Sequence, residues 1–264
     1  MELLAHKIFE CTNKDSNNKD SFVVLIHGFG GNHRVWKNQI DVITEKANAI
    51  AIDLPSHNVD NKKLSDMTIS LESISREILD VLDKYNIKHA IFMGVSLGTV
   101  FIKYIEEFYP EYVSSAILVG AIGNVGLALR MVVRLFSRIG DKIPFKPVYS
   151  IFSKVIMSWK VSTKSRQIFC ECARVLNSKE FKSYMFIFKE HFKFNKNIFL
   201  KKQHSENFYI SGRGDLCFIK GVLEDVKKTK ARLKTIKNCG HIANIDQKEL
   251  FNELLVKRLN TVYA

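Results

Sequence analysis

Proline is scarce in this chain, with 4 in 264 residues, and glycine is modest at 13. So little of either excludes collagen-like and low-complexity classes. No self-similarity with a period of roughly 20–50 residues marks a solenoid or propeller. Cysteine is sparse too: Cys11, Cys170, Cys172, Cys217 and Cys239 form an odd, scattered set with neither a zinc-ligand rhythm nor a CxxC pair. No metal site is expected from them, and a reducing interior suits them best. The opening MELLAHKIFECTNKDSNNKD lacks a basic stretch followed by an apolar core and a small-residue cleavage site. No secretory leader is expected, and the protein is expected in the cytosol. The longest apolar run, Ala116 to Val133, is broken by Asn124, by three glycines and by Arg130. It reads as a buried strand entering an amphipathic helix rather than a bilayer span.

What the chain has is apolar mass and positive charge. Its hydrophobic fraction of 46% fills a sizeable core and excludes intrinsic disorder as the main state. The net charge of +13 is unevenly placed: Asn124 to Lys202 holds 17 Lys and Arg against 4 Asp and Glu, which leaves 23 of each sign elsewhere. That segment is also dense in aromatics from Phe136 to Phe199, Trp159 among them. So sharp a shift marks a separate unit, expected as a helical cap over 124–202 inserted into a core of 1–123 and 203–264. Solvated Lys faces over Phe-rich inner faces are one reading. Attraction of an anionic substrate, an acyl carrier or an acidic membrane surface is the other. No nucleic-acid module accompanies the basicity, so nucleic acid is not expected as a partner.

Apolar runs predict strands at 22–26, 49–52, 90–93, 116–119, 207–211 and 232–236. Helical spacing predicts helices at 36–44, 68–85 and 99–108. Strands alternating with helices imply an α/β fold, with a parallel sheet covered on both faces.

The motif with most chemistry in it is Gly94-Val95-Ser96-Leu97-Gly98, a G-x-S-x-G sequence between a predicted strand and a predicted helix. A serine hydroxyl is a poor nucleophile unless projected and deprotonated by a neighbour, and flanking glycines permit the sharp turn that projects it. His27-Gly28-Phe29-Gly30-Gly31 follows the first central strand and can bring a main-chain N–H towards Ser96. The N–H groups of Phe29 and Leu97 are the expected donors to a tetrahedral oxyanion. His27 is expected to orient that loop. Asp215 and His241 follow two consecutive strands, at the sheet edge where α/β proteins bind ligands. They are the expected acid and base, with Asp225 and Asp246 as competing carboxylates.

These residues resemble the α/β-hydrolase superfamily, specifically its capped single-domain members of esterase, lipase, thioesterase and carbon–carbon hydrolase type. The resemblance covers nearly the whole chain except the insertion, and the order Ser96, Asp215, His241 is the order that family uses. It implies a mostly parallel, doubly wound sheet, with Ser96 as nucleophile, His241 as base and Asp215 as orienting acid. Phe29 and Leu97 would be the oxyanion donors, with a lid over 124–202 and no cofactor. Two departures stand out. Ser56-His57-Asn58-Val59 replaces the glycines common after Asp53-Leu54-Pro55, with His57 expected as a solvated loop histidine. Thr99 replaces a glycine often found after the nucleophile turn.

The expected reaction is hydrolysis of a carboxylic ester, a thioester or a lactone through an acyl-enzyme, on a substrate with an apolar acyl or aryl part and an anionic portion. A carbon–carbon hydrolase or lyase and an acyltransferase remain open on the same residues. So does a non-catalytic binding protein of this fold, although such a protein has no physical need for serine, histidine and aspartate together.

Overall fold

A computed structural model describes residues 3–58, 69–157, 162–195, 206–229 and 231–263. Its centre is a seven-stranded sheet in the order β1-β3-β2-β4-β5-β6-β7. The strands are β1 (His6–Phe9), β2 (Phe22–Ile26), β3 (Asn48–Ile52), β4 (Ala90–Val95), β5 (Val113–Val119), β6 (Glu206–Gly212) and β7 (Arg232–Ile236). β1 runs antiparallel to β3, and every other pairing is parallel. This is the expected doubly wound α/β class.

Burial on both faces explains why the central strands are continuous apolar runs. In β2, Val24 and Ile26 join one core with Ile50, Ile52, Phe92 and Leu118. Val23 and Leu25 point the other way and join Ala49, Ala51, Ile91, Met93 and Ile117. The first face is covered by α2 (Leu71–Lys84) and α3 (Leu97–Phe108), and the second by α1 (Ile40–Thr44) and α10 (Lys248–Val262). Ser70 starts α2: its hydroxyl accepts the Ser73 N–H while the Ser73 hydroxyl accepts the Ser70 N–H.

The helix expected over 36–44 is in fact split. A 3₁₀ turn spans His33–Trp36 and α1 begins only at Ile40. The Asn32 side chain accepts the Arg34 N–H and starts the turn early, which shifts the chain out of register with a single helix.

Between β5 and β6 the chain leaves the sheet and forms α4 (Leu127–Ile139), α5 (Phe145–Ile156), α6 (Thr163–Cys172) and α7 (Ser178–Phe194). Trp159, Phe199 and the end of the expected insertion at Lys202 lie outside the described residues. A buried polar cluster ties α7 to the core. Lys103 Nζ of α3 lies 2.6 Å from Asp225 Oδ2 on α8 (Ile219–Thr229) and 3.3 Å from Asn195 Oδ1 at the end of α7. His191 Nε2 is 2.8 Å from the Ile122 carbonyl oxygen. Removing one partner of such a buried ion pair costs about 3–5 kcal/mol. The helix α9 (Ala243–Asp246) follows the loop after β7.

Candidate active site

Only Ser96 separates β4 from α3. It sits at φ 52° and ψ −114°, in the left-handed half of the map where an L side chain is strained. The flanking glycines make this tolerable. A Cβ on Gly98 would stand 2.1 Å from the Ile26 carbonyl oxygen, and one on Gly94 would stand 2.6 Å from Ile102 Cδ1. The Ser96 N–H donates to Val119 O at 2.9 Å, which anchors the turn to the end of β5. Thr99, the departure from the family's glycine, serves the same turn: its hydroxyl donates to Ser96 O at 2.6 Å and accepts the Ile122 N–H.

The loop after β7 brings His241 to this serine, and the loop after β6 brings Asp215 to the histidine. Ser96 Oγ lies 2.7 Å from His241 Nε2, and His241 Nδ1 lies 2.8 Å from Asp215 Oδ2. A carboxylate only accepts, so Nδ1 carries the proton and Nε2 is left to accept the serine hydroxyl. His241 is wholly buried and Asp215 nearly so. Phe218 lies against the imidazole, with ring centroids 4.8 Å apart. Gly120, at φ 51°, leaves room for it: a Cβ there would stand 2.2 Å from the His241 carbonyl oxygen.

The competing carboxylates are engaged elsewhere. Asp225 pairs with Lys103. Asp246 Oδ1 accepts the Ser165 N–H at the start of α6, and burial raises its carboxyl above the usual range.

The expected oxyanion loop lies beside the serine. A Cβ built on Gly28 would be 3.1 Å from Ser96 Cβ. No hydrogen bond is made to the N–H of Phe29 or Leu97 among the described residues, so both donors are free. His27 links this loop to the one after β3: its Nδ1 lies 2.8 Å from Gly28 O, and its Nε2 accepts the Leu54 N–H at 2.9 Å.

His57 overturns its expectation. It is not solvated but buried, because the chain turns inward after Ser56, which holds φ 62° where the family often has glycine. Its Nδ1 lies 3.0 Å from Pro55 O, and its Nε2 accepts the Gly30 N–H at 2.9 Å. Burial, with His27 beside it, pushes its pKa down to about 3. Burial lowers that of His27 as well.

A roof of aromatic side chains from the insertion closes over Phe29. Tyr149, Phe152, Phe181, Tyr184 and Phe188 all place ring centroids within 6.4 Å of its ring. The Tyr149 hydroxyl donates to Phe29 O at 3.0 Å, and a Cβ on Gly30 (φ 81°) would collide with it. Tyr184 donates to Pro55 O. Sequence reasoning noted these rings but not their target, because nothing local in α5 or α7 points to Phe29. Among the described residues, no three His, Cys, Asp or Glu side chains are grouped to hold a metal ion.

A sharp serine turn, the free main-chain N–H groups of Phe29 and Leu97 and an acid–imidazole pair gather at one sheet edge, as in the α/β-hydrolase class that the sequence resembles. A family model of the alpha/beta hydrolase fold matches residues 22–147, from β2 into α5, just under half of the chain, and the chain has the α/β-hydrolase fold. Over 101 residues it is 31% identical to the dihydrolipoyllysine-residue acetyltransferase component of the acetoin cleaving system of Pseudomonas putida, covering 38% of this chain and 27% of that one. The match thus spans only about a quarter of the length of that relative. Among solved structures, MenH from S. aureus has a TM-score of 0.81 at 19% identity, covering 98% of this chain and 99% of that chain. An esterase from Exiguobacterium antarcticum has a TM-score of 0.80 at 15% identity, covering 97% and 95%. At such identities the likeness is one of fold.

Proposed function

We propose that the protein is a serine hydrolase that cleaves a carboxylic ester through an acyl-enzyme. One observation carries this reading: the unbroken relay from Ser96 Oγ to His241 Nε2 at 2.7 Å and from His241 Nδ1 to Asp215 Oδ2 at 2.8 Å. As Ser96 Oγ bonds to the carbonyl carbon, its proton passes to His241 Nε2, and Asp215 stabilises the imidazolium. The carbonyl oxygen takes up the electron pair as an oxyanion, held by the N–H groups of Phe29 and Leu97. One such donor contributes on the order of 3 kcal/mol. Collapse breaks the bond to the leaving alcohol, which takes the proton from His241. Water then gives a proton to His241 and attacks the acyl carbon. The second collapse returns that proton to Ser96 Oγ and releases the acid.

Thioesters and lactones pass through the same intermediates. The aromatic roof over Phe29 favours an apolar acyl or aryl group, with the insertion acting as a cap. Five free cysteines fit a reducing compartment, and the cytosol is the proposed location. Among the described residues, no helix is long and apolar enough to cross a membrane.

The test is mass spectrometry after exposure to a fluorophosphonate, together with a panel of esters and thioesters. A single adduct on Ser96, and loss of both adduct and turnover in Ser96→Ala, is the expected result. Labelling at another residue, or unchanged turnover in the variant, would overturn the proposal.

A further inference from the structure

The outer face of the insertion carries an apolar ridge that no described residue covers. On α4, Leu127, Met131 and Leu135 are 73%, 61% and 52% exposed and follow one another at i, i+4 and i+8, so they form a single crest. Isolated surface leucines are ordinary, whereas a contiguous apolar surface marks an interaction site.

The crest is flanked differently on its two sides. Towards α5 lies an apolar trough of about 640 Å³, lined by Val132, Phe136 and Phe152. Its far rim is formed by Ile151 and Val155, 63% and 59% exposed, and Leu216, 80% exposed, lies at its margin. Towards α7 lies a groove of about 450 Å³ that gathers Arg130, Arg134, Lys189 and Lys193 around Phe192. Among the described residues the one ion pair within the insertion is Lys182 with Asp141; none of these four cations is in an ion pair, and the Glu190 carboxylate is the acidic group near Lys189 and Lys193.

We infer that this face docks on an anionic phospholipid surface. The crest and the trough rim enter the headgroup–acyl boundary, while the flanking cations meet lipid phosphates. Charge complementarity selects this partner. The excess of 17 basic over 4 acidic residues is spread along the whole insertion, which suits an extended negative plane better than the limited footprint of one protein. The trough also reaches inward towards the candidate active site. Phe152 lies 6.1 Å from the Phe29 ring, and Cys217 follows Asp215 by two positions. The inference concerns binding alone and stands whether or not the protein hydrolyses esters.

The experiment is flotation of the Ser96→Ala chain with phosphatidylcholine vesicles, with and without phosphatidylglycerol, so that turnover plays no part. Co-migration with the anionic vesicles only, weakening as salt is added, is the expected result. The double variant Met131→Asp/Leu135→Asp changes exposed residues, and circular dichroism checks that it stays folded. It should lose flotation, and Arg134→Glu/Lys193→Glu should weaken it at least about tenfold. Leu250→Asp, an exposed leucine on α10, should bind as the parent does. Three results would each overturn the inference: no flotation with anionic vesicles, undiminished flotation of the Met131/Leu135 variant, or sedimentation showing that this variant splits a dimer that binds no vesicles.

Discussion

His27 and His57 lock each other's loops reciprocally. His27, from the loop after β2, accepts the Leu54 N–H of the loop after β3; His57, from that second loop, accepts the Gly30 N–H of the first. Their rings lie 4.8 Å apart, and both are held neutral by burial. Phe29, whose N–H is a proposed oxyanion donor, sits between the residues so fixed.

This lock makes His57 a positioning residue. His57→Ala leaves a buried N–H without an acceptor, at a cost of about 1–3 kcal/mol in stability. It also loosens the Phe29 donor, so kcat should fall at least about tenfold on an ester substrate while KM changes little. Steady-state kinetics would decide: a change confined to KM would place the loop in binding instead.

The choice of acid is tested by pairing two variants. Asp215→Asn should lower kcat by roughly 10³–10⁴, because the amide no longer holds His241 in its Nδ1–H tautomer. Asp246→Asn, at the α6 contact, should stay within about tenfold of the parent. Equal losses would leave the acid unassigned.

Acid should begin to destabilise the protein as pH falls below the ordinary histidine range. His57 and His191 are pushed down to about 3 by burial, with His27 and Lys103 respectively adding repulsion. In the unfolded chain each titrates near 6.5, so between that value and about 3 the unfolded state binds protons that the native state refuses. Stability is therefore lost as pH falls through this window, by about 1.4 kcal/mol per pH unit for each histidine. Urea midpoints should drop from pH 7 to pH 5, with a shallower drop in His57→Gln. A flat profile would refute the neutral buried state.

Gly98→Ala should cost roughly 3 kcal/mol or more, since its Cβ would meet the Ile26 backbone at 2.1 Å. Gly126→Ala is the control: nothing lies within 4 Å of its Cβ, so its cost should stay under about 1 kcal/mol. Thermal unfolding of the two variants would separate these outcomes, and equal melting temperatures would remove the close approach at Gly98 from the account.

Several features were legible because they are local. FVVLI at 22–26 is apolar at every position, as a strand covered on both faces must be, and the glycines around Ser96 announced a tight turn. The edge strand β1 escaped notice because HKIF is short, half polar and only partly buried, and it becomes a strand by pairing with β3. His57 was misread for a related reason. Its surroundings in sequence are those of a loop, and its burial comes from Tyr184 of α7 and from Phe29, far away along the chain.

By itself, then, the sequence determined the alternation of strands and helices, the serine turn and the order of serine, aspartate and histidine, since periodicity and glycine spacing act over a few residues. Tertiary structure alone decided which carboxylate reaches His241, which histidines are kept neutral and where the aromatic rings of the insertion converge. Those outcomes depend on distances between segments from 26 to more than a hundred residues apart, and only packing sets such distances.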